Sequence, residues 1–356
     1  MNPAPSAKTL LPATYQNPVL DTDFPDPSVV LAPDGYYYAY ATQTRYQGQI
    51  LNIQVARSRD LMAWEHLGDA LPAKPAWAAA SQRFWAPDVS RHADGRYLLY
   101  FSAQPNDPAA GMCLGVAVAQ QPTGPFVDSG RPLLAGGPGF EDIDPMQFVD
   151  DATGQLLLFW GSGFGPLRVR ALAADGLGFA PGSAAEIIVP PRLATDYASY
   201  GYLIEGSWVH YRAGWYYLFY SGDNCCGPDA HYAVLVARAR HATGPYETLA
   251  EATGTAGTIL TGNQRWLAPG HNCLVTDAAG QDWLLYHAID QRQPTFDAIN
   301  DEQGYSRRVL LLDKVVYDED GWPHVGTPST EPHPGPVWPG HQAGAGYSSE
   351  RPRNRM

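Results

Sequence analysis

The chain has 356 residues, enough for one large or two modest domains with a substantial core and no need of disulfide or metal staples. Its 36 acidic residues outnumber 23 basic ones for a formal net charge of −13, and no Lys/Arg-rich run of the kind that tracks phosphates occurs, which argues against nucleic acid and anionic membrane as partners. Charged residues are only 17% and aromatic residues 12%, a balance suited to stacking on neutral, hydroxyl-rich ligands such as sugars.

The N-terminal MNPAPSAKTLLPATYQ lacks the apolar core of a signal peptide, and no stretch approaches the ~20 apolar residues of a membrane span. As written, the chain reads as soluble and cytoplasmic, or as secreted or periplasmic if a signal has been trimmed. Residues 24–28 then read FPDPS. Two prolines restrict the backbone around Asp26, so its carboxylate is stiffly held before an apolar run.

The stretch opens a grammar used five times: an acid or His leads an apolar strand, a Gly turn follows, and an aromatic strand comes next. Asp26 leads into YYYAYAT at 36–42, Asp88 in WAPDV into RYLLYFSA at 96–103, and Asp144 in IDP into QLLLFWGS at 155–162. Glu205 in EGS leads into WYYLFYSG at 215–222, and His271 in PGHN into QDWLLYHA at 281–288. Third strands read as VARSRD at 55–60, GVAVAQ at 115–120 and LVARAR at 235–240, and TGPF at 123–126 and TGPY at 243–246 are near copies. The third unit is the weakest, since residues 163–200 show no clear third strand. A period of roughly 60 residues, longer than the ~40–50 of common propeller repeats, predicts an all-β, single-domain, five-bladed β-propeller with long loops. A sandwich gives no reason for one leader to recur at one long period. Residues 17–325 form the expected propeller, 1–16 an N-terminal extension, and 326–356 a Pro/Gly-rich tail that wraps the domain or stays disordered.

In a propeller the innermost strands surround one axis, so the five leaders are expected to converge at one end of it. Carboxylates gathered there repel, raising some pKa values and leaving others ionised, which is the division glycoside hydrolysis needs. FPDPS, WAPDV, IDP, EGS with YYLFYSG, and PGHN, in that order and spacing, resemble glycoside hydrolase family 43 over residues 17–325. The resemblance implies Asp26 as general base, Glu205 as general acid and Asp144 as the acid that orients Glu205 and tunes its pKa. It also implies inversion at the anomeric carbon, with base and acid carboxyls ~6.5–9.5 Å apart. His271 is implied to line the channel beside a hydrated structural calcium ion; no organic cofactor is expected.

For the substrate, Trp85 is expected at the pocket mouth, where its indole can stack on a sugar's C–H face, with Phe24 beside the base in the same role. The segment SRRVLLLDKVVYDEDGWP at 306–323 resembles the last blade of arabinan-cleaving members and aims Arg308 at the sugar hydroxyls, with Arg307 turned away. Cys113, Cys225, Cys226 and Cys273 match neither a zinc site nor a disulfide framework. The adjacent pair Cys225–Cys226 reads as two small reduced residues in a tight turn, the alternative being a vicinal disulfide, and is assigned no catalysis.

The expected activity is an inverting, exo-acting α-L-arabinofuranosidase on plant cell-wall arabinan, arabino-oligosaccharides or decorated hemicellulose. β-D-Xylosidase and endo-1,5-α-L-arabinanase are the alternatives within the family, a retaining enzyme a further one, and a glycan-binding, lectin-like propeller the non-enzymatic one. The leaders differ from blade to blade, which favours one central site over repeated binding sites. The exo expectation rests on loops 43–52, 104–112 and 289–305, the last carrying Phe296, as walls that close a pocket.

Overall fold

The computed structural model describes residues 13–192, 200–294 and 306–338. Five antiparallel sheets follow one another along the chain, each opening with an inner strand: Ser28–Leu31, Phe84–Arg91, Met146–Asp150, Ile204–Arg212 and Trp266–Thr276. Each inner strand lies against the next, and the fifth lies against the first, closing the ring of a five-bladed β-propeller. In the blade that looked weakest, Leu167–Ala171 supplies the third strand and Glu186–Val189 the fourth.

The second strands explain why the aromatic runs carry almost no polar alternation. Successive side chains of a strand point to opposite faces, and in a propeller both faces of a blade are covered by neighbouring blades. In blade two Leu99 and Phe101 pack toward blade one with Tyr40 and Val55, while Leu98 and Tyr100 pack toward blade three with Leu158 and Trp160. Blade four does the same, Leu218 and Tyr220 facing Phe159 of blade three and Tyr217 and Phe219 facing Trp266 and Tyr286 of blade five. The protein therefore has inter-blade cores rather than one centre, and truncating a side chain such as Phe219 to alanine costs ~3–5 kcal/mol.

Blade five has three strands of its own, Trp266–Thr276, Asp282–Asp290 and Arg308–Lys314. The segment before blade one runs along its outer edge: Val19 N and Phe24 N donate to the carbonyls of Leu310 (3.0 Å) and Arg308 (2.7 Å), and the Asn17 amide grips Leu312 through both its main-chain N–H and C=O. The chain's beginning thus locks onto its end, and this zip brings the Asp26 loop beside Arg308. Residues on both sides of the expected 17–325 propeller also touch it. Thr14–Tyr15 pairs with His333–Pro334, and Trp338 packs on Tyr37 with ring centroids 5.0 Å apart, so residues 326–338 are a strap on the propeller. Among the described residues no helix is long and apolar enough to cross a membrane.

Candidate active site

In every blade a residue at the head of the inner strand takes a left-handed backbone, Asp26 (φ 56°), Ala86 (φ 45°), Asp144 (φ 58°), Gly206 (φ 65°) and His271 (φ 45°), and blade five adds a second at Ala268 (φ 47°). Non-glycine residues seldom adopt this conformation, and such strain concentrates at functional sites. The series also corrects the repeat register. Ala86, not Asp88, is the blade-two counterpart of Asp26, and Glu205 stands one residue before its blade's left-handed position. Asp88 accordingly does not line the pocket; it lies within the ring, accepts a hydrogen bond from Gln147 N at 2.8 Å, and burial pushes its pKa up to about 7. Trp85, one position before Ala86, lines the pocket instead.

The pocket is a cavity of about 340 Å³, within the usual range for small-ligand sites, and Asp26, Asp144, Glu205, His271, Arg308 and Trp85 all line it. Asp26 Oδ1 accepts from Arg308 Nη1 at 2.9 Å, and Oδ2 accepts from the Thr42 hydroxyl at 2.5 Å. Its backbone N–H donates to His287 Nδ1 at 3.1 Å. Burial works to raise this carboxyl's pKa, but the Arg308 guanidinium, followed by His271 and His287, holds it far below the usual carboxylate range. Asp26 is therefore an anion. Arg307, the next residue in the strand, turns the other way and pairs with Asp21.

Glu205 lies in the opposite electrostatic condition. Burial raises its pKa, and the Asp26 charge adds to that, while donation from Ser162 Oγ (2.7 Å) and the Tyr232 hydroxyl (2.8 Å) opposes it. Asp144 is raised further, by burial and then by its two carboxylate neighbours. Its Oδ2 accepts from Gly206 N at 3.0 Å, pinning the peptide that carries Glu205. Two buried acids so placed do not both ionise, and the pair keeps a proton where Asp26 has none.

Tyr232 and His287 escaped the sequence reading because they sit in a third and a second strand, and Ser162 because it lies just past the end of one, where apolar neighbours made all three look like core. The His287 and Tyr232 rings stack 2° from parallel at 5.8 Å, joining the base-side and acid-side partners. Gly270 makes room for this, since a Cβ there would stand 2.2 Å from the Tyr232 ring. Asp23 is a further pocket carboxyl; it accepts from Arg308 N at 3.0 Å and the Thr44 hydroxyl at 2.7 Å, and burial lifts its pKa to about 6. Cys225 and Cys226 are free thiols and line the pocket, a location the sequence did not reveal.

Phe24 is a correction. It is fully buried between blades one and five, edge-on to His66, and presents no surface to the pocket. The backbone bonding of Phe24 N to blade five turns its side chain inward, so only Asp26 of the FPDPS stretch faces the cavity with Pro25. His271 lines the pocket as expected, with Nδ1 3.6 Å from both Asp26 Oδ1 and Asp144 Oδ2. That is the arrangement of a ring between two carboxylates. Among the described residues no group of three or more His, Cys, Asp and Glu side chains is arranged to hold a metal ion. Calcium prefers oxygen donors, so a hydrated ion beside His271 would be held through water rather than by the imidazole.

A propeller that sets one ionised carboxyl and a proton-retaining carboxyl pair around a single pocket has the makings of an enzyme that cleaves glycosidic bonds by acid–base chemistry. The sequence profile of glycosyl hydrolases family 43 matches residues 15–323, and the chain belongs to that family. It is 28% identical over 341 residues to an extracellular exo-α-(1→5)-L-arabinofuranosidase, ArbA, of Cellvibrio japonicus, with 90% of this chain and 91% of that protein covered. It is 27% identical to a xylan 1,3-β-xylosidase of a Vibrio species, covering 89% of this chain but 58% of that protein, and 27% identical to a probable arabinan endo-1,5-α-L-arabinosidase B of Aspergillus fumigatus, covering 80% and 82%. Among solved structures, the fold matches a thermostable family-43 glycoside hydrolase (TM-score 0.71, 24% identity, 91% of this chain and 99% of that one) and the α-L-arabinanase of Cellvibrio cellulosa (TM-score 0.69, 24% identity, 86% and 96%).

Proposed function

We propose that the protein is an inverting, exo-acting α-L-arabinofuranosidase that removes terminal arabinofuranose from arabinan, arabino-oligosaccharides or decorated hemicellulose. The observation that carries this is the opposed state of two equally buried carboxyls, Asp26 held ionised by Arg308 and Glu205 pushed toward its protonated form. Asp26 takes a proton from a water as that water's oxygen bonds to the anomeric carbon. Glu205 gives its proton to the leaving oxygen as the glycosidic bond breaks, so the carbon inverts and the proton count balances. Asp144 holds the Gly206 peptide and, with Glu205, the proton needed for departure. Arg308 neutralises the base, and its remaining guanidinium donors suit sugar hydroxyls, while Trp85 offers an apolar face to the ring.

The arabinose preference draws on the relative matched over nine-tenths of both chains, an exo-arabinofuranosidase. Loop 43–52 forms a hairpin of Thr44–Tyr46 and Gln49–Leu51 beside the pocket, and loop 104–112 carries the short turn Pro108–Ala110; residues 295–305 of the third loop, Phe296 included, lie outside the described residues. Aryl α-L-arabinofuranoside, aryl β-D-xyloside and linear arabinan, assayed side by side, test the reading. The arabinoside is expected to be the best small substrate and arabinan to release monomer from the outset, with NMR showing the inverted anomer first. Early shortening of arabinan with little monomer would mean an endo enzyme, and a preference for the xyloside would mean a xylosidase.

A further inference from the structure

Phe140 lines the pocket, and a row of rings begins there. Its ring lies 6.0 Å from that of Phe164 at 65°, and Phe164 lies 4.9 Å from Tyr202 at 45°. Tyr202 precedes Leu203, which lines the pocket again, so the row starts at the cavity with Phe140 and its far end belongs to a segment that returns to the cavity one residue later. Phe164 is 48% exposed and holds a left-handed backbone at φ 63°. A large aromatic residue gains little from folding when half of it stays in water, and a bulky side chain at positive φ is strained. Neither packing nor local conformation therefore accounts for phenylalanine here, and the paired Glu141 and Arg168 (3.5 Å) flank the row with polar groups.

The row has a definite side. It comes from blade three and the entry to blade four, next to Asp144 and Glu205, whereas Asp26 and Arg308 stand on blades one and five. The group that protonates the leaving oxygen faces the leaving group, so the departing part of the substrate leaves over this wall. We propose that Phe140, Phe164 and Tyr202 form a platform that binds the second and third pentose units of an oligosaccharide, on the leaving-group side, by stacking against their C–H faces. This rests on the reading of Glu205 as the acid and of a neutral pentose chain as substrate. Three rings turned 65° and 45° to one another suit a twisting furanose chain, whose successive units change orientation, and an uncharged face suits a ligand without charge.

The test compares kcat/KM on an aryl α-L-arabinofuranoside with that on α-1,5-arabino-oligosaccharides of two to five units, for the wild type, Phe164→Asn and Phe164→Tyr. Asparagine tolerates the left-handed backbone, so the fold is expected to survive, and an unchanged thermal midpoint checks this. In the wild type kcat/KM is expected to rise with chain length. In Phe164→Asn the ratio of trisaccharide to aryl-glycoside kcat/KM falls about fivefold, the effect of one lost stacking contact, and Phe164→Tyr restores it. An unchanged ratio overturns the platform, as does an equal loss on every substrate or a change in oligomeric state that marks the row as a contact between copies. Should the wild type cleave only aryl β-xylosides, the arabinose reading fails by itself, and the same ratio over xylo-oligosaccharides still decides the platform.

Discussion

Asp26 and Glu205 face one cavity and are equally withdrawn from water, at 7% and 8% exposure, yet their pKa values move in opposite directions. Burial alone would raise both. The difference lies in what each blade pair brings: the blade one and five side supplies a guanidinium and two imidazoles, and the blade three and four side supplies a second carboxyl and two hydroxyls. Division of labour here is a matter of partners, and the Arg308 partner arrives only because residues 17–24 zip onto the last blade.

The comparison breaks most visibly when either carboxyl is removed. Asp26→Ala and Glu205→Ala are each expected to fold and to lose ~10²–10⁴ in kcat, the usual worth of a general acid or base; near-native turnover in either would remove that residue from the chemistry. Arg308→Met erases the asymmetry itself. Burial then goes unopposed at Asp26, its pKa rises, and an acid limb enters a kcat/KM profile that in the wild type is flat on that side. The orphaned carboxylate should also cost ~3 kcal/mol of stability, read by denaturant unfolding.

The acid side can be tuned in both directions. Asp144→Asn removes the carboxyl with which Glu205 shares a retained proton, so Glu205 must hold its proton alone and the alkaline limb moves to lower pH, with a loss of rate. Tyr232→Phe removes a donor that favours the ionised carboxylate, so Glu205 keeps its proton longer and the alkaline limb moves to higher pH. Shifts of the same sign in both variants would show that the two residues act through packing. The smallest effect belongs to Phe24→Leu, a near volume-conserving core change: kinetic constants should hold while stability drops by ~1 kcal/mol, seen in the thermal midpoint.

The ring of blades was legible because a strand covered on both faces must be apolar throughout, and WYYLFYSG or QLLLFWGS leaves few other readings. Asp26, Asp144, Glu205, His271, Trp85 and Arg308 reach the pocket as the leaders and the last-blade resemblance implied. Register was harder. Asp88 looked like a leader because it is the acid in WAPDV, but the left-handed position belongs to Ala86, and no residue type marks that in the sequence. Phe24 misled because a proline-bounded segment does not advertise which way its side chains point. Tyr232 and His287 were hidden inside runs that read as core. The closing edge NPVLDTDF has little strand character, and it pairs only because blade five presents a free edge beside it.

The most direct test of opposed roles for Asp26 and Glu205 is the dependence of kcat/KM on leaving-group acidity in Glu205→Gln and Asp26→Asn, using aryl α-L-arabinofuranosides from dinitrophenyl to unsubstituted phenyl. If Glu205 donates the proton, its variant loses little on the dinitrophenyl substrate, which departs unaided, and progressively more on the poorer leaving groups. The Asp26 variant, deprived of the water-activating base, loses a similar large factor on all of them. Parallel slopes for the two variants, or rescue of Asp26→Asn by the good leaving group, would contradict the assignment of one ionised base and one protonated acid.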